Sequence, residues 1–324
     1  MRARPAAALF LALAPVWLPE PASAAETFPA KSIRVIAGSA PGTLVDQAAR
    51  LYADKMQGHL KQPITVENVA GASTLLAVRH VLKAPADGYT LLVSANTLVT
   101  VPHINPQAGY AVKEFTAVGE MVRSPMLLVT SGASPFKSLA DLIAAAKKHP
   151  GAISFGTSGI GTTNHLGVAL LARQAGVSFN HVPYKGITAA VPDVAAGRVA
   201  FMMGAPNSAA ALLQSGALRA LAISAEKRSP KFTDIPTVKE FGFPDAIFEV
   251  WIGAVAPAAI PRPVRARLGE AMEVARNDQD LLRRLEGLGQ EVSAVRTPDQ
   301  FDAVLRADEE KLRKLIRDTN IVAE

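Results

Sequence analysis

The chain of 324 residues contains no cysteine. That absence excludes a lipid anchor at a cleavage site, a disulfide framework, a thiol nucleophile and a thiolate metal site. The six histidines (His59, His80, His103, His149, His165, His181) show neither H-x-H nor H-E-x-x-H spacing, so helical zinc signatures are missing and no metal or other cofactor is expected. Aromatic residues make up only 6% of the chain. With the basic residues scattered rather than clustered, no nucleic-acid partner is expected. Beyond the first two dozen residues nothing approaches about 18 uninterrupted apolar residues, so a soluble mature chain is expected.

What is present begins with the N-terminus. "MRARPAAALFLALAPVWLPEPASA" has a basic start at Arg2 and Arg4, an apolar middle, and a small-residue end at Ala22-Ser23-Ala24. This pattern predicts a secretory signal peptide over residues 1–24 and a periplasmic mature protein. Its removal takes Lys+Arg from 34 to 32 and Asp+Glu from 28 to 27, leaving a net charge of +5. Such a mild bias suits anionic ligands. About 300 residues are too many for one comfortable core, so two lobes are expected.

Apolar β-rich runs at 33–37, 64–68, 89–94, 126–130, 153–156, 200–203 and 220–224 alternate with helical patterns at 44–57, 139–148 and 163–175. The alternation predicts an α/β fold of two lobes, each a mostly parallel sheet flanked by helices. Ser138-Leu-Ala-Asp141 and Thr297-Pro-Asp-Gln300 have the spacing of capping boxes. "PDQFDAVLRADEEKLRKLIRD" reads as a charged amphipathic helix with a solvated face. Two segments, "VIAGSAPGTLVDQAAR" and "ISFGTSGIGTTNHLGVALLARQAG", each run from strand through a small-residue loop into a helix. One per lobe would place a ligand between them, beyond the carboxyl ends of the strands. The chain is expected to cross between lobes near 123–125 and 249–253. That gives one lobe of 25–124 plus 251–324 and a second of 125–250.

Catalytic readings of these loops fail. In "GTSGIG" a nucleophile elbow around Ser158 would need glycine where Ile160 stands, and His165 follows too closely. A dinucleotide fingerprint would need glycine or alanine where Asn164 stands, and neither loop is followed by the P-loop lysine. Binding remains. Amides at a helix start are unpaired and partly positive, so they hold carboxylates without arginine, and small residues let the ligand come close. Thr43, Thr157, Ser158, Thr162 and Thr163 add hydroxyl donors. Thr43 and Asp46 also fit an ordinary T-x-x-D cap, Thr162 and Thr163 fit plain N-caps, and His165 fits a satisfied helix histidine.

The order and spacing of segments over nearly the whole mature chain resemble the solute-binding receptors of tripartite tricarboxylate transporters, also called Bug receptors. The resemblance runs through "FPAKSIRVIAGSAPGTLVDQAARL", "PITVENVAGA", "KAPADGYTLL", "SLADLIAAAKKHPGAISFGTSGIGTTNHL", "HVPYKG", "AGRVAFMM", "GALRALAIS", "RSPKFTDIPTVKEFGFP" and "WIGAVAPAAIP" to "TPDQF". It implies a type II-like, two-lobed periplasmic binding protein, not an enzyme, that closes on a small carboxylate. It also implies a membrane permease as partner, and a monomeric receptor is expected. Carried over by position, ligand contacts are expected at Pro41, Gly42, Thr43 and Asp46, at Gly71, at Asn96, and at Thr157, Ser158, Thr162, Thr163 and His165. Tyr184, beside Lys185, and Asn207 complete the set. The family usually has two glycines where this chain has Gly42-Thr43, and a glycine pair where it has Ala72-Ser73. Many members carry an aspartate at Gly204. An acid there would suit a ligand ammonium, so a ligand without one is expected: a dicarboxylate or an aromatic acid rather than an amino acid. Two other classes stay open on the sequence, an enzyme acting on a small organic acid and a protein presenting its ligand to a sensor kinase.

Overall fold

Short apolar runs and amphipathic helices sort into two sheets in the computed structural model, which describes residues 28–184, 186–288 and 290–319. Residues 1–24, where a signal peptide is expected, and Lys185 lie outside the described residues. The chain first lays down β1 (Ile33–Ala37), α1 (Leu44–Leu60), β2 (Ile64–Asn68), α2 (Leu75–Leu82), β3 (Thr90–Ala95), α3 (Thr97–Ile104) and β4 (Phe115–Ser124). It then builds β5 (Met126–Ser131), α4 (Leu139–Lys148), β6 (Ser154–Thr157), α5 (Thr163–Ala175), β7 (Asn180–Pro183), α6 (Ile187–Ala195), β8 (Phe201–Gly204), α7 (Ala210–Gln214) and β9 (Leu218–Ser224). It returns with β10 (Val250–Pro257), α8 (Arg262–Arg276), α9 (Gln279–Gly287), β11 (Glu291–Val292) and α10 (Pro298–Thr319).

The six-stranded sheet has the order β11-β4-β10-β3-β1-β2, and the five-stranded sheet β7-β6-β8-β5-β9. Strands such as β3, buried from Thr90 to Ser94, are apolar on both faces because helices cover both sides. The two-lobed α/β architecture is the one expected, with one refinement: each sheet is mixed rather than mostly parallel. β1 pairs in parallel with β2 and β3, and β6 with β7 and β8, whereas every pairing of β5 and β10 is antiparallel. The reason is the crossing itself. Only Pro125 separates β4 from β5. The returning β10 then runs antiparallel between β3 and β4.

β4 escapes a reading by apolar runs because it carries charge into the core. Glu120 is fully buried. Its carboxylate accepts from Arg123 at 2.7 and 2.8 Å and from the Ser293 hydroxyl at 2.7 Å. A buried charge so paired is tolerated; the same charge alone would be costly. The second crossing is pinned by Asn96, 1% exposed. Its amide nitrogen donates to the Glu249 carbonyl (3.2 Å) and its oxygen accepts from the Trp251 amide (3.1 Å). The Trp251 indole donates to Asp308 at 2.6 Å and packs edge-on against Phe301. Burial pushes the Asp308 carboxyl above its ordinary range, and the indole N–H and Arg123 only partly offset that.

α10 behaves as a strap. Its body packs on β4 and α3, while Asp318 meets Arg173 of α5 (3.1 Å) and Lys311 donates to the Ile247 carbonyl (2.7 Å). One helix therefore touches both lobes. Among the described residues no helix is long and apolar enough to cross a membrane.

Candidate functional site

The first loop follows β1. Gly42 takes φ 76°, a left-handed conformation that glycine adopts without strain. Thr43 has φ −73° and ψ 164°, ordinary N-cap geometry, so the second glycine that the resemblance leads one to expect is not required there. The Thr43 hydroxyl donates to the Ala40 carbonyl at 2.9 Å and accepts from the Asp46 amide at 3.4 Å. Asp46 is 4% exposed. Its carboxylate accepts from the Gly42 amide (2.8 Å), from Arg50 (3.0 Å) and from Asn68 (2.9 Å). Burial pushes that carboxyl up, but the Gly42 amide, Asn68 and Arg50 together hold it below its ordinary value. Asp46 thus shapes the loop from behind. Replacing it by asparagine is expected to cost about 1.5 kcal/mol, the size of a lost cap with charged partners; urea titration of the Asp46→Asn variant measures it.

The second loop follows β6 and is organised by Asn164, whose Oδ1 accepts from the Ser158 amide (3.2 Å), the Ser158 hydroxyl (3.1 Å) and the Thr162 hydroxyl (2.6 Å). Thr162 occupies the N-cap position of α5, but its hydroxyl caps no amide of that helix; it lies 2.6 Å from both the Gly159 carbonyl and Asn164 Oδ1, and its single proton is shared between these two acceptors. Gly161, with φ 70°, donates its amide to His165 Nδ1 at 3.0 Å. Thr157 is buried and its hydroxyl lies 2.6 Å from His181 Nε2. His165 and His181 stack with ring centroids 4.3 Å apart, among Phe155, Phe179 and Phe201. Burial, and then the neighbouring His181, lower the His165 pKa to about 4; burial lowers His181 as well. Both rings are neutral at pH 7, and His165 uses its bare Nδ1 to hold the loop.

The two loops face each other across a cavity of about 830 Å³. Gly42, Thr43, Ser158, Thr162 and Thr163 of the expected contacts line it. Thr97, Asn164, Thr188, Gly204 and Ser208 add polar groups or small surfaces. The middle of the wall is apolar, with Leu44, Val45, Ile187, Pro206, Phe232 and Ile252. Pro41, Asp46, Gly71, Asn96, Thr157, His165 and Tyr184 are not in the lining. Asn96 turns its amide to the crossing strand; Thr157 and His165 support the loop from below. Tyr184 gives its hydroxyl to Asp193 at 2.6 Å. Asn207 belongs to the short turn Pro206–Ser208 beside the cavity; its side chain lies outside the described residues. Gly204 does stand on the wall, with Ser208 Oγ 3.0 Å from where a Cβ would be, so no acid projects there.

Gly71 precedes a strained stretch. Ala72, Ser73 and Thr74 have φ of 46°, 51° and 82°, three left-handed non-glycine residues in a row. Thr74 reaches Thr97 (2.8 Å) and the Gly38 carbonyl (3.3 Å), which ties this stretch to the first loop. The strain falls where the resemblance places a glycine pair. Installing it, Ala72→Gly with Ser73→Gly, is expected to stabilise the protein by about 1 kcal/mol in a chemical denaturation experiment.

Sequence reasoning missed Lys231 and Glu286, which also line the cavity. Lys231 lies in the excursion between β9 and β10, Glu286 in α9 of the other lobe, and no local pattern relates them.

A cleft between two α/β lobes, walled by two helix-entry loops rich in hydroxyls and small residues, is the design of a solute-binding protein. Residues 48–321 match the tripartite tricarboxylate transporter family receptor, and the chain belongs to that family. It is 31% identical over 314 residues to protein BugT of Bordetella pertussis, covering 96% of this chain and 95% of BugT. Among solved structures it is similar to MatC of Rhodopseudomonas palustris with bound malate (TM-score 0.78, 29% identity, 89% of this chain and 100% of MatC). It is also similar to another R. palustris protein with adipate (TM-score 0.79, 28% identity, 92% and 100% covered).

Proposed function

We propose that the protein is a periplasmic solute-binding receptor that captures a small carboxylate and hands it, as a monomer and without chemistry, to the membrane permease of a tripartite tricarboxylate-type transporter. The observation that carries this reading is the pair of helix-entry loops, Gly42-Thr43 and Ser158 with Thr162-Thr163, facing one cavity. Helix-start amides and hydroxyls recognise a carboxylate without a counter-charge. Malate and adipate in the related structures support the same ligand chemistry. The lobes are 25–124 with 251–324 and 125–250, joined at the Pro125 and Glu249 crossings; closing them around the ligand creates the form the permease recognises. Gly204 leaves no acid on that wall for an ammonium group, and the acid that does line the cavity, Glu286, stands against Lys231; this favours a dicarboxylate or aromatic acid over an amino acid. The test is thermal denaturation and calorimetry with aspartate, glutamate and a panel of plain carboxylates. A plain carboxylate at 100 times its dissociation constant should stabilise the protein by about 2.7 kcal/mol and be recovered unchanged. Turnover of that compound, or binding confined to the amino acids, would overturn the reading.

A further inference from the structure

The cavity lies toward the upper end of the roughly 300–1,000 Å³ usual for small-molecule sites, and is much larger than one carboxylate between two loops requires. Its charge is uneven. Among the described residues Lys231 is the single lysine or arginine in the lining, and Glu286 the single acid. The two face each other across the lobes at 4.0 Å, the outer limit of an ion pair, with their side chains 35% and 72% exposed. A pair so long and so wet contributes little, so exchanging Glu286 for another anion costs little. The turn presenting Lys231 is nevertheless firmly held. The Lys231 amide donates to the Ser229 hydroxyl (3.2 Å), and Arg228 binds Glu240 and the Thr233 carbonyl (3.0 Å). The cation is held at its base and only loosely paired at its tip.

We propose that Lys231 selects diacids: it leaves Glu286 and pairs with the distal carboxylate of a ligand whose first carboxylate sits between Thr43 and Ser158-Thr162. The apolar wall from Leu44 through Ile187 to Phe232 takes the linker between the two acid groups. Resting on the carboxylate-receptor reading, this narrows the ligand class to α,ω-diacids and makes Lys231 the residue that tells them from monoacids. The distal pair forms under the closed lobes, shielded from water, where an ion pair is stronger than at the open rim. A monoacid leaves Lys231 with Glu286 and gains nothing from it.

The experiment is calorimetry of the full mature protein with straight-chain diacids of four to ten carbons and with the matched monoacids. Wild type, Lys231→Gln and Glu286→Gln are compared, each checked for folding by circular dichroism. Lys231→Gln should weaken the best diacid at least tenfold and change its matched monoacid less than twofold. Glu286→Gln, which removes the competing partner, should tighten the diacid severalfold and leave the monoacid alone. Equal losses for diacid and monoacid, or no loss for either, would overturn the role of Lys231 while leaving a carboxylate receptor standing. Failure of every acid in both series to bind the wild type would bring down the receptor reading, and this inference with it.

Discussion

Lowering the pH from 7 to 4.5 will remove about 2.5 kcal/mol of stability through His165 alone. In the folded protein this imidazole titrates at about 4, because burial and then the adjacent His181 disfavour its charged form; unfolded, it titrates near 6.5. A depressed histidine pKa means the unfolded chain binds the extra proton first. The stabilising contribution is therefore complete above about pH 6.5, declines as the pH falls, and levels off below about 4. Every tenfold difference in proton affinity between the two states is worth about 1.4 kcal/mol, and most of the decline falls between pH 7 and 4.5. Lowered His181 adds in the same direction. The consequence reaches the cleft, because Nδ1 of His165 accepts the Gly161 amide, and a proton there cancels the bond that shapes the second loop. Urea titrations at pH 7 and pH 4.5 measure the effect. Most of the difference should disappear in His165→Gln, whose side chain does not titrate. A variant that keeps the wild-type pH profile would show that the acid sensitivity lies elsewhere.

This sensitivity belongs to a residue whose position was legible and whose function was not. His165 stands out in "GTTNHLG", but a sequence cannot show that the ring lies under the loop, with its nitrogen turned back to Gly161. The same division runs through the fold. Strands and helices with one local period, such as β1, α1, α4 and α10, are readable because their burial follows from neighbours close in the chain. β4 was not, since Glu120 and Arg123 interrupt its apolar run and complete their pairing only when Ser293 and Glu249 arrive from afar; β10 is apolar throughout, but its place between β3 and β4 is set by long-range pairing that local spacing does not show. In the site, the loop mouths at Gly42-Thr43 and Ser158-Thr163 are legible because glycines, hydroxyls and a helix start occur together. Asp46 and Asn96 belong to the same sequence patterns, yet their side chains face away from the cavity into the scaffold. Lys231 and Glu286 meet only because two lobes meet. Pair chemistry across a cleft leaves no trace in local spacing.

The meeting of the lobes can be tested at one atom. Gly161 sits at φ 70° in the second lobe, and a Cβ there would collide with Cδ1 of Ile104, the buried last residue of α3 in the first lobe. Gly161→Ala therefore introduces two separate penalties. The left-handed backbone costs alanine about 1 kcal/mol in any arrangement of the lobes and appears as lost stability. The collision is worth about 2 kcal/mol, typical of overpacking. It exists only while the lobes are together, so separating them relieves it. The radius of gyration of Gly161→Ala, measured by X-ray scattering, should exceed that of the wild type. The affinity for the best diacid should fall about thirtyfold, the ratio that about 2 kcal/mol imposes on closure. Adding Ile104→Val deletes the colliding methyl at a cost of about 1 kcal/mol in the core. The double variant should recover most of the thirtyfold and the compact radius while remaining less stable than wild type. Such non-additivity is the signature of direct contact. If Ile104→Val restores nothing, the two residues do not meet in the ligand-bound form, and closure does not bring α3 onto the second loop.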